Sequence, residues 1–242
     1  MRKRLDLLLA ERNIFPSRNN AQVHVLSGEV FVNSEKVLVP SKLIDDKSVI
    51  EIKLLKNNFV SRGGLKLEKA IKFFDVNPEG KVCLDIGAST GGFTDCLLKK
   101  GASKVYCVDV GYGQLDYNLR NNPKVINYER LNARYLKKEL IDDEIDIIVM
   151  DVSFISITKF EDFFNEFSNK ENIFLGLIKP QFELSQEKIG RNGIVKEQSY
   201  RDLAIEKVQI FIQGFYKNVA IPIESPIKGA KGNVEYLICA KN

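Results

Sequence analysis

Val82-Cys83-Leu84-Asp85-Ile86-Gly87-Ala88-Ser89-Thr90-Gly91-Gly92-Phe93-Thr94 is the stretch of this chain that decides its fold. A short apolar run leads through an acid to a glycine-rich turn, and the turn leads to the start of an amphipathic segment. This order predicts a buried parallel strand that passes into a helix around a small, partly anionic ligand. Gly87, Gly91 and Gly92 allow the backbone to approach that ligand and to adopt positive φ angles.

The spacing of the glycines indicates which ligand the turn holds. Ala88 and Ser89 follow Gly87, so the turn lacks the G-x-G-x-x-G pattern of a dinucleotide site. The acid before the first glycine suits the positive amino and sulfonium groups of S-adenosylmethionine better than a pyrophosphate. We therefore expect S-adenosylmethionine as cofactor, although an ordinary strand-to-helix turn would fit the same residues. The predicted cofactor-binding residues of this segment are Asp85, Gly87, Ala88, Ser89, Gly91, Gly92 and Phe93.

The overall composition is that of an ordinary protein with one large or two smaller domains. The chain has 242 residues, of which 44% are hydrophobic and 28% are charged. It has no apolar run of membrane-spanning length, and residues 1–6 lack the apolar segment of a signal peptide. We therefore expect a cytoplasmic protein without membrane association, with its four cysteines as reduced core thiols. The single histidine, His24, argues against a histidine-based triad or a histidine-rich metal site.

From Lys81 onward, apolar runs alternate with amphipathic ones, which predicts a doubly wound α/β sheet. The fold is expected to be a mostly parallel sheet with an antiparallel last strand, preceded by a small α+β domain. The predicted strands are residues 82–86, 105–110, 125–128, 145–150, 173–178, 219–223 and 234–240. The predicted helices of this region are residues 93–99, 157–167 and 200–212.

Ligands of such sheets bind beyond the carboxyl ends of the strands, where two further polar residues are expected. Asp109 ends the second strand, and an acid there can accept both hydroxyls of a ribose, in NAD as well as in S-adenosylmethionine. Asn132 follows the third strand. It could contact the adenine, and it fits an ordinary loop position equally well.

Two lysines and two acids are also predicted to meet at this edge. Asp151 ends the fourth strand and Lys179 ends the fifth. Lys66 lies near the start of a helix before the first strand, and Glu235 begins the last strand. A lysine at the end of a continuous apolar strand would be costly to bury unpaired, so acidic partners are expected.

Such a set suits methyl transfer to a weakly acidic hydroxyl, which needs alignment and removal of one proton. In this hypothesis Lys179 accepts the proton of a ribose 2′-hydroxyl. A lysine base must be neutral, which burial and a second lysine favour and nearby acids oppose. Asp151 and Glu235 hold the lysines in place, while Lys66 stabilises the developing oxyanion or orients Lys179. No metal is required.

The amino-terminal quarter carries most of the net positive charge. Residues 1–60 hold ten Lys/Arg and seven Asp/Glu, which leaves +3 of the chain's +4. The pattern predicts two short helices, the second from Ser17 to about Ser27, and then strands at 30–32, 36–39 and 49–52. The helix pair is expected to carry arginines and a lysine, either as a solvated surface or as a phosphate-contacting face. These residues are Arg2, Lys3, Arg4, Arg12 and Arg18.

The order of these elements resembles the RNA-binding domain named after small-subunit ribosomal protein four. The resemblance rests on Ser17-Arg18 at a helix start, on Gly28-Glu29-Val30-Phe31-Val32-Asn33 and on a Pro-containing strand pair. It covers roughly residues 2–55 and favours the phosphate-contacting interpretation. We therefore predict an RNA-binding domain at 1–55, a linker at 56–62 and the α/β domain at 63–242. Arg62, the last residue of the linker, is included among the predicted RNA-binding residues.

Six motifs, in order along nearly the whole chain, resemble TlyA-type proteins, which are haemolysin A-like and FtsJ-like ribosomal RNA methyltransferases. The resemblance implies S-adenosylmethionine-dependent 2′-O-methylation of cytidine in ribosomal RNA or ribosomal subunits, and it does not imply a protein partner. It also implies a catalytic tetrad of Lys66, Asp151, Lys179 and Glu235. The motifs are Ser61-Arg62-Gly63-Gly64-Leu65-Lys66, the turn at 84–94, Asp109-Val110-Gly111-Tyr112-Gly113-Gln114-Leu115, Asp151-Val152-Ser153-Phe154-Ile155-Ser156, Lys179-Pro180-Gln181-Phe182-Glu183 and Gly232-Asn233-Val234-Glu235-Tyr236.

Three other functions are compatible with parts of the sequence. The haemolysin label would imply a membrane-active protein, which the expected lack of an export signal and of a spanning segment argues against. A catalytically inactive RNA-binding protein on the same scaffold is disfavoured by the intact tetrad. An NAD-dependent oxidoreductase is disfavoured by Asp85 and by the missing dinucleotide spacing.

Overall fold

The computed structural model describes residues 2–15, 17–26, 28–52, 59–169, 171–229 and 232–242. The chain forms two compact units, residues 1–58 and 59–242. Ser27, where the second helix was predicted to end, lies outside the described residues, as does the first part of the predicted linker, residues 56–58.

The first unit is a small α+β fold of short elements around its own apolar core. Strand β1 pairs antiparallel with β4, and β2 pairs antiparallel with β3 and β5. Leu5 and Leu9 of the first helix and Val25 of the second are fully buried in this core. The elements are β1 (Arg2–Arg4), α1 (Leu5–Glu11), α2 (Arg18–Leu26), β2 (Val30–Val32), β3 (Glu35–Lys36), β4 (Leu43–Asp45) and β5 (Ile50–Ile52).

The strands of this unit differ from the sequence prediction in three ways. Arg2–Arg4 form a strand rather than part of the helix pair, because they pair with Leu43–Asp45, a strand that was not predicted. The predicted strand 36–39 is shortened to Glu35–Lys36. Val37 N still donates to the carbonyl of Val30 at 3.0 Å, but the chain then leaves the sheet before Pro40, which has no backbone N–H to continue a ladder.

The second unit is a doubly wound α/β sheet. Its strand order is β11-β13-β10-β9-β6-β7-β8, with β12 also paired to β13. Strands β6 to β10 pair in parallel, and β13 runs antiparallel to β10. The predicted mostly parallel sheet with an antiparallel last strand is therefore confirmed. Its elements are α3 (Gly63–Phe73), β6 (Val82–Ile86), α4 (Gly92–Lys99), β7 (Lys104–Asp109), α5 (Tyr117–Arg120), β8 (Val125–Glu129), β9 (Ile147–Met150), α6 (Glu161–Phe167), β10 (Ile173–Ile178), α7 (Pro180–Glu183), α8 (Gln198–Gln213), β11 (Asn218–Val219), β12 (Ile223–Glu224) and β13 (Tyr236–Lys241).

Alternation along the strands fills an apolar layer on each face of the sheet. Leu84 and Ile86 point to the layer that contains α6 and α8, whereas Cys83 points to the layer that contains α3 and α4. All four cysteines are buried and free, as predicted. Because Asp85 alternates with Leu84 and Ile86, it faces the α4 side.

Three element boundaries in this unit correct the prediction. The helix predicted at 157–167 is a 3₁₀ turn at Ile157–Lys159 followed by α6, and the Ser156 hydroxyl caps the turn by accepting from Thr158 N at 3.1 Å. The strand predicted at 219–223 is divided into β11 and β12, with Pro222 between them. Strand β13 begins at Tyr236, so Glu235 lies one residue before it. Of the described helices, none is both long and apolar enough to cross a membrane.

Candidate active site

The turn between β6 and α4 lies against the end of β9. Gly87 N donates to the carbonyl of Val108 at 2.8 Å, and Gly91 N donates to that of Ala88 at 2.7 Å. Gly87 has a φ of +83°, and a Cβ built on it would lie 2.7 Å from the carbonyl oxygen of Asp151. Only glycine therefore allows this approach, which brings the turn next to Asp151.

Helix α3 reaches the same edge through a second close approach. A Cβ on Gly92 would collide with the Ser61 hydroxyl and would lie 3.3 Å from Gly63 Cα. The absence of a side chain at Gly92 thus lets the start of α3 pack directly on the start of α4. Lys66 is on the first turns of α3, so this packing positions it at the carboxyl edge of the sheet.

Asp85 is fully buried beneath the glycine turn rather than exposed within it. Its Oδ2 accepts from the Thr94 hydroxyl at 2.6 Å, and its Oδ1 has no hydrogen-bond partner among the described residues. Burial raises the pKa of Asp85 to about 7, although the Thr94 hydrogen bond opposes the shift. In the absence of ligand, this carboxyl is therefore close to half-protonated near neutral pH.

We expect the Asp85→Asn variant to have a flatter pH dependence of stability than wild type. The pKa of Asp85 in the folded state lies above the unfolded value of 3.8. The contribution of Asp85 to the free energy of unfolding is therefore fully present below pH 4 and is lost as the pH rises toward 7. This loss amounts to up to about 4 kcal/mol by linkage. Urea unfolding of the ligand-free protein between pH 4 and 8 measures it. Asp75→Asn is the control, because Asp75 is exposed and its φ of +51° suits asparagine. Equal pH slopes for wild type and Asp85→Asn would contradict the expectation.

The other predicted cofactor residues lie around the turn. Asp109 accepts from Ser89 N at 2.9 Å through Oδ2 and from Gly111 N at 2.6 Å through Oδ1. A carboxylate has about four lone-pair sites, so two remain for other donors. Asn132 caps a 3₁₀ turn by accepting from Arg134 N at 3.1 Å.

Two of the predicted cofactor residues, Ala88 and Phe93, are buried in the apolar layer beside α3 and α4. Side-chain packing accounts for both of these positions. Only their backbone groups belong to the turn that a ligand would approach.

Lys66, Asp151, Lys179 and Glu235 form one cluster at the carboxyl edge. Lys66 Nζ lies 2.7 Å from Glu235 Oε2 and 3.8 Å from Asp151 Oδ2, and Lys179 Nζ lies 2.5 Å from Asp151 Oδ1. In the antiparallel register, Ile178 lies opposite Tyr236. Lys179 directly follows Ile178 and Glu235 directly precedes Tyr236, so the two residues lie at the same edge. The structure thus brings together the four residues that the sequence predicted.

The charges in this cluster stabilise one another. Burial lowers the pKa of Lys66, but the charges of Asp151 and Glu235 outweigh it and the pKa is raised. Burial raises the pKa of Asp151, but the two lysines outweigh it and this pKa is lowered. Lys66 therefore stays cationic and Asp151 anionic at neutral pH. The described residues contain no group of three or more His, Cys, Asp or Glu side chains placed to hold a metal ion.

Two polar residues were not identified from the sequence, Ser153 beside the cluster and Glu183 at the end of α7. The Ser153 hydroxyl accepts a hydrogen bond from Lys179 Nζ at 2.7 Å. Glu183 is buried and accepts from Ile157 N at 2.9 Å and from the Ser156 hydroxyl. Both belong to motifs that resemble TlyA-type proteins, at 151–156 and 179–183, and their polarity within these motifs was the available signal.

Four of the predicted RNA-binding residues of the first unit make ion pairs or hydrogen bonds within it. Asp6 is fully buried and accepts from Arg4, from Arg18 Nε at 3.0 Å and from Gln22. The hydrogen bond from Arg4 lowers the pKa of Asp6 well below its usual range, against the effect of burial.

The remaining predicted RNA-binding residues occupy several positions. Lys3 pairs with Glu11 at 2.6 Å, and Arg12 donates to the carbonyls of Asp46 and Ser48. Arg2 is exposed on β1. In the second unit, Arg62 directly precedes α3.

Known proteins resemble the chain over its whole length. Residues 59–242 match the model of the FtsJ-like methyltransferase family. The chain is 47% identical over 237 residues to Hemolysin A of Brachyspira hyodysenteriae, covering 97% of this chain and 98% of that protein. It is 36% identical over 239 residues to the 16S/23S rRNA (cytidine-2′-O)-methyltransferase TlyA of Mycobacterium tuberculosis, covering 98% and 89%.

Two further similarities concern the fold and the amino-terminal part. A solved structure from Streptococcus thermophilus, which carries a hemolysin name, matches with a TM-score of 0.75 at 37% identity, covering 100% of this chain and 89% of that one. A shorter match, 40% identical over 53 residues, relates 22% of this chain to 26% of the small ribosomal subunit protein uS4 of Halothermothrix orenii.

Proposed function

This chain belongs to the FtsJ-like methyltransferase family, and we propose that it transfers a methyl group from S-adenosylmethionine to the ribose 2′-hydroxyl of a cytidine in ribosomal RNA. This proposal rests mainly on the closeness of the four-residue cluster to the glycine turn. The cluster of Lys66, Asp151, Lys179 and Glu235 lies at the same sheet edge as the glycine turn, whose Gly87 touches the backbone of Asp151. A methyl donor and a proton acceptor could therefore act on one oxygen.

The residues around the turn fit S-adenosylmethionine. When bound, this cofactor supplies an electrophilic methyl group on a positively charged sulfonium. The two unused acceptor sites of the Asp109 carboxylate suit the two hydroxyls of a ribose. When the Asp85 carboxyl is ionised, its unpartnered buried oxygen places a negative charge beneath the turn, which suits a cationic ligand better than a phosphate.

Each member of the cluster then has a distinct role. Neutral Lys179 accepts the proton of the 2′-hydroxyl, so the O–H bond breaks and an N–H bond forms, and the oxygen would take up the methyl group as the bond between that methyl and the sulfonium sulfur breaks. Asp151 lies between the two lysines and holds both amino groups in place. Lys66 keeps its proton because its pKa is raised, so its positive charge stabilises the developing oxyanion. Glu235 fixes Lys66 from the other side.

The first unit is the part of the chain that we assign to RNA recognition. Its partial similarity to ribosomal protein uS4 supports this role, as does the paired arrangement of Arg4 and Arg18 on one buried carboxylate. The Asp6 contacts occupy only some of the donors of each guanidinium, and both side chains stay partly exposed. Fixed guanidinium groups with free donors suit phosphate oxygens.

We expect the Arg18→Ala variant to bind RNA more weakly while its kcat at saturating RNA stays close to that of wild type. The loss of one phosphate contact should reduce the slope of log affinity against log salt by about 1. Filter binding at several salt concentrations measures this slope. Lys47→Ala is the control, since it removes one exposed charge from the same unit. An equal effect of both variants would mean that net charge alone, rather than the arginine pair, governs binding.

The activity itself is tested by transfer of labelled methyl from S-adenosylmethionine to small and large ribosomal subunits and to unmodified ribosomal RNA transcripts. We expect label in RNA, located by mass spectrometry as a 2′-O-methylcytidine. Label on a base or on protein would contradict the proposal, as would no label on any substrate. Dye release from lipid vesicles serves as a parallel test, because two of the similar proteins carry a hemolysin name. Release without methyl transfer would favour membrane activity instead.

A further inference from the structure

We propose that Ser153 is a positioning residue that sets the direction in which Lys179 presents its amino group to the substrate hydroxyl. This inference rests on the proposed function, in which Lys179 accepts the 2′-hydroxyl proton. Its starting point is the 2.7 Å hydrogen bond that Lys179 Nζ donates to the Ser153 hydroxyl. No role follows for this serine from the four-residue cluster alone, since it carries no charge.

The geometry of an amino nitrogen explains why a directed acceptor is important. Nζ is bonded to one carbon and has three remaining tetrahedral positions, each holding an N–H bond or, in the neutral amine, a lone pair. Ser153 Oγ at 2.7 Å accepts a directed hydrogen bond and takes up one of these positions. Asp151 Oδ1 lies 2.5 Å from Nζ as an ion pair without hydrogen-bond geometry, so it holds the amino group by charge. The two contacts together restrict where the remaining positions point. In neutral Lys179 one of them holds the lone pair that must point at the proton to be removed.

The segment that carries Ser153 is held at both ends. At its start, Asp151 N donates to the carbonyl of Ile86 at 3.0 Å. At its end, Ile157 N donates to Glu183 Oε1 at 2.9 Å. Phe154, next to Ser153, has a φ of +64°, a conformation that a bulky residue adopts only where its surroundings impose it. Ser153 itself is exposed and lies between these two anchored positions.

Removal of the serine hydroxyl would leave the ion pair with Asp151 to hold Lys179. An ion pair does not fix the direction of an N–H bond, so the amino group can then rotate about the Cδ–Cε and Cε–Nζ bonds. The ion pair with Asp151 would survive, so the fold and the substrate affinities should change little. The fraction of time in which the lone pair faces the hydroxyl would fall, which lowers the rate of the chemical step.

The test compares Ser153→Ala with Ser153→Thr in single-turnover and steady-state methyl transfer to ribosomal subunits. We expect Ser153→Ala to lower kcat by about 10- to 100-fold, with KM for S-adenosylmethionine and for RNA within about twofold of wild type. Ser153→Thr retains a hydroxyl and should recover most of the rate. Ser103→Ala is the matched control, because the exposed Ser103 hydroxyl donates to the carbonyl of Lys81 at 3.0 Å, away from the cluster.

Several outcomes would overturn the inference. These are an unchanged kcat in Ser153→Ala, a rise in KM as the only effect, and a Ser153→Thr variant as slow as Ser153→Ala. Nuclear magnetic resonance of the lysine side-chain amines gives a second measurement that needs no activity. Exchange of the Lys179 Nζ protons with solvent should be faster in Ser153→Ala than in wild type, and equal exchange would also overturn the inference. Absence of methyl transfer by wild type itself would instead refute the proposed function.

Discussion

The Lys179→Ala variant is expected to transfer methyl groups about 10³-fold more slowly than wild type. The substitution removes the proposed proton acceptor, and a positioned base contributes about 10²- to 10⁴-fold to such a step. It also removes the partner that lies 2.5 Å from Asp151 Oδ1. The measurement is kcat for labelled methyl transfer to ribosomal subunits, together with the affinity for S-adenosylmethionine by calorimetry. The affinity should change little, because the glycine turn and Asp109 are untouched.

The Lys179→Arg variant tests whether Lys179 contributes as a base that accepts a proton or as a positive charge. An arginine side chain keeps a positive charge beside Asp151, but a guanidinium with a pKa above 12 does not act as a base. We therefore expect this variant to be nearly as slow as Lys179→Ala while it remains as stable as wild type. A fast Lys179→Arg enzyme would mean that the cation, not the base, is the contribution of this residue. A fast Lys179→Ala enzyme would refute both roles.

The sheet was predictable because its strands are continuous apolar runs. Residues 173–178 contain no polar side chain, and such a run is stable only when buried on both faces, as in a central parallel strand. The short elements of the first unit were less predictable. Leu43–Asp45 is a strand only because it meets Arg2–Arg4, a contact between segments some forty residues apart that no local pattern reports.

The four-residue cluster was predictable because residues that follow parallel strands lie at the same edge of the sheet. Asp151 and Lys179 directly follow β9 and β10, and parallel strands end at the same edge. Glu235 required one further condition, the antiparallel direction of the last strand, which β13 satisfies. The resemblance to TlyA-type proteins indicated the same four residues independently.

The sequence could not show which neighbouring polar groups pair with one another. Asp85 was predicted beside the ligand, but its hydrogen bond with Thr94 was not predicted. Arg4 and Arg18 were recognised as basic residues, but their common partner Asp6 was not. Ser153 lay within a recognised motif without an assigned role. In each case the partner is set by side-chain direction in three dimensions, which residue order does not specify.

The Asp151→Ala variant should lose both activity and stability. Asp151 is the acid that both lysines share, at 3.8 Å from Lys66 and 2.5 Å from Lys179. Without Asp151, the Lys179 ammonium group keeps only its hydrogen bond to the uncharged Ser153 hydroxyl among the contacts described above. This mostly buried ammonium group then lacks a counter-ion. Breaking a buried ion pair from one side costs about 3 to 5 kcal/mol, so we expect the free energy of unfolding to fall by about 3 kcal/mol. Urea unfolding measures this, with Glu68→Ala as the control for an exposed ion pair, where the loss should stay below about 1 kcal/mol.

The double variant Asp151→Ala/Lys179→Ala decides whether the stability loss arises from the uncompensated charge. If it does, removal of Lys179 as well should restore part of the lost stability, since no unpaired ammonium then remains at that position. Methyl transfer should be no slower in the double variant than in Lys179→Ala, because residues that act as one unit have non-additive effects. Independent roles would instead give stability losses that add and rate losses that multiply. That result would mean that Asp151 and Lys179 lie 2.5 Å apart without acting together, and the assignment of Asp151 as the residue that holds both lysines would be wrong.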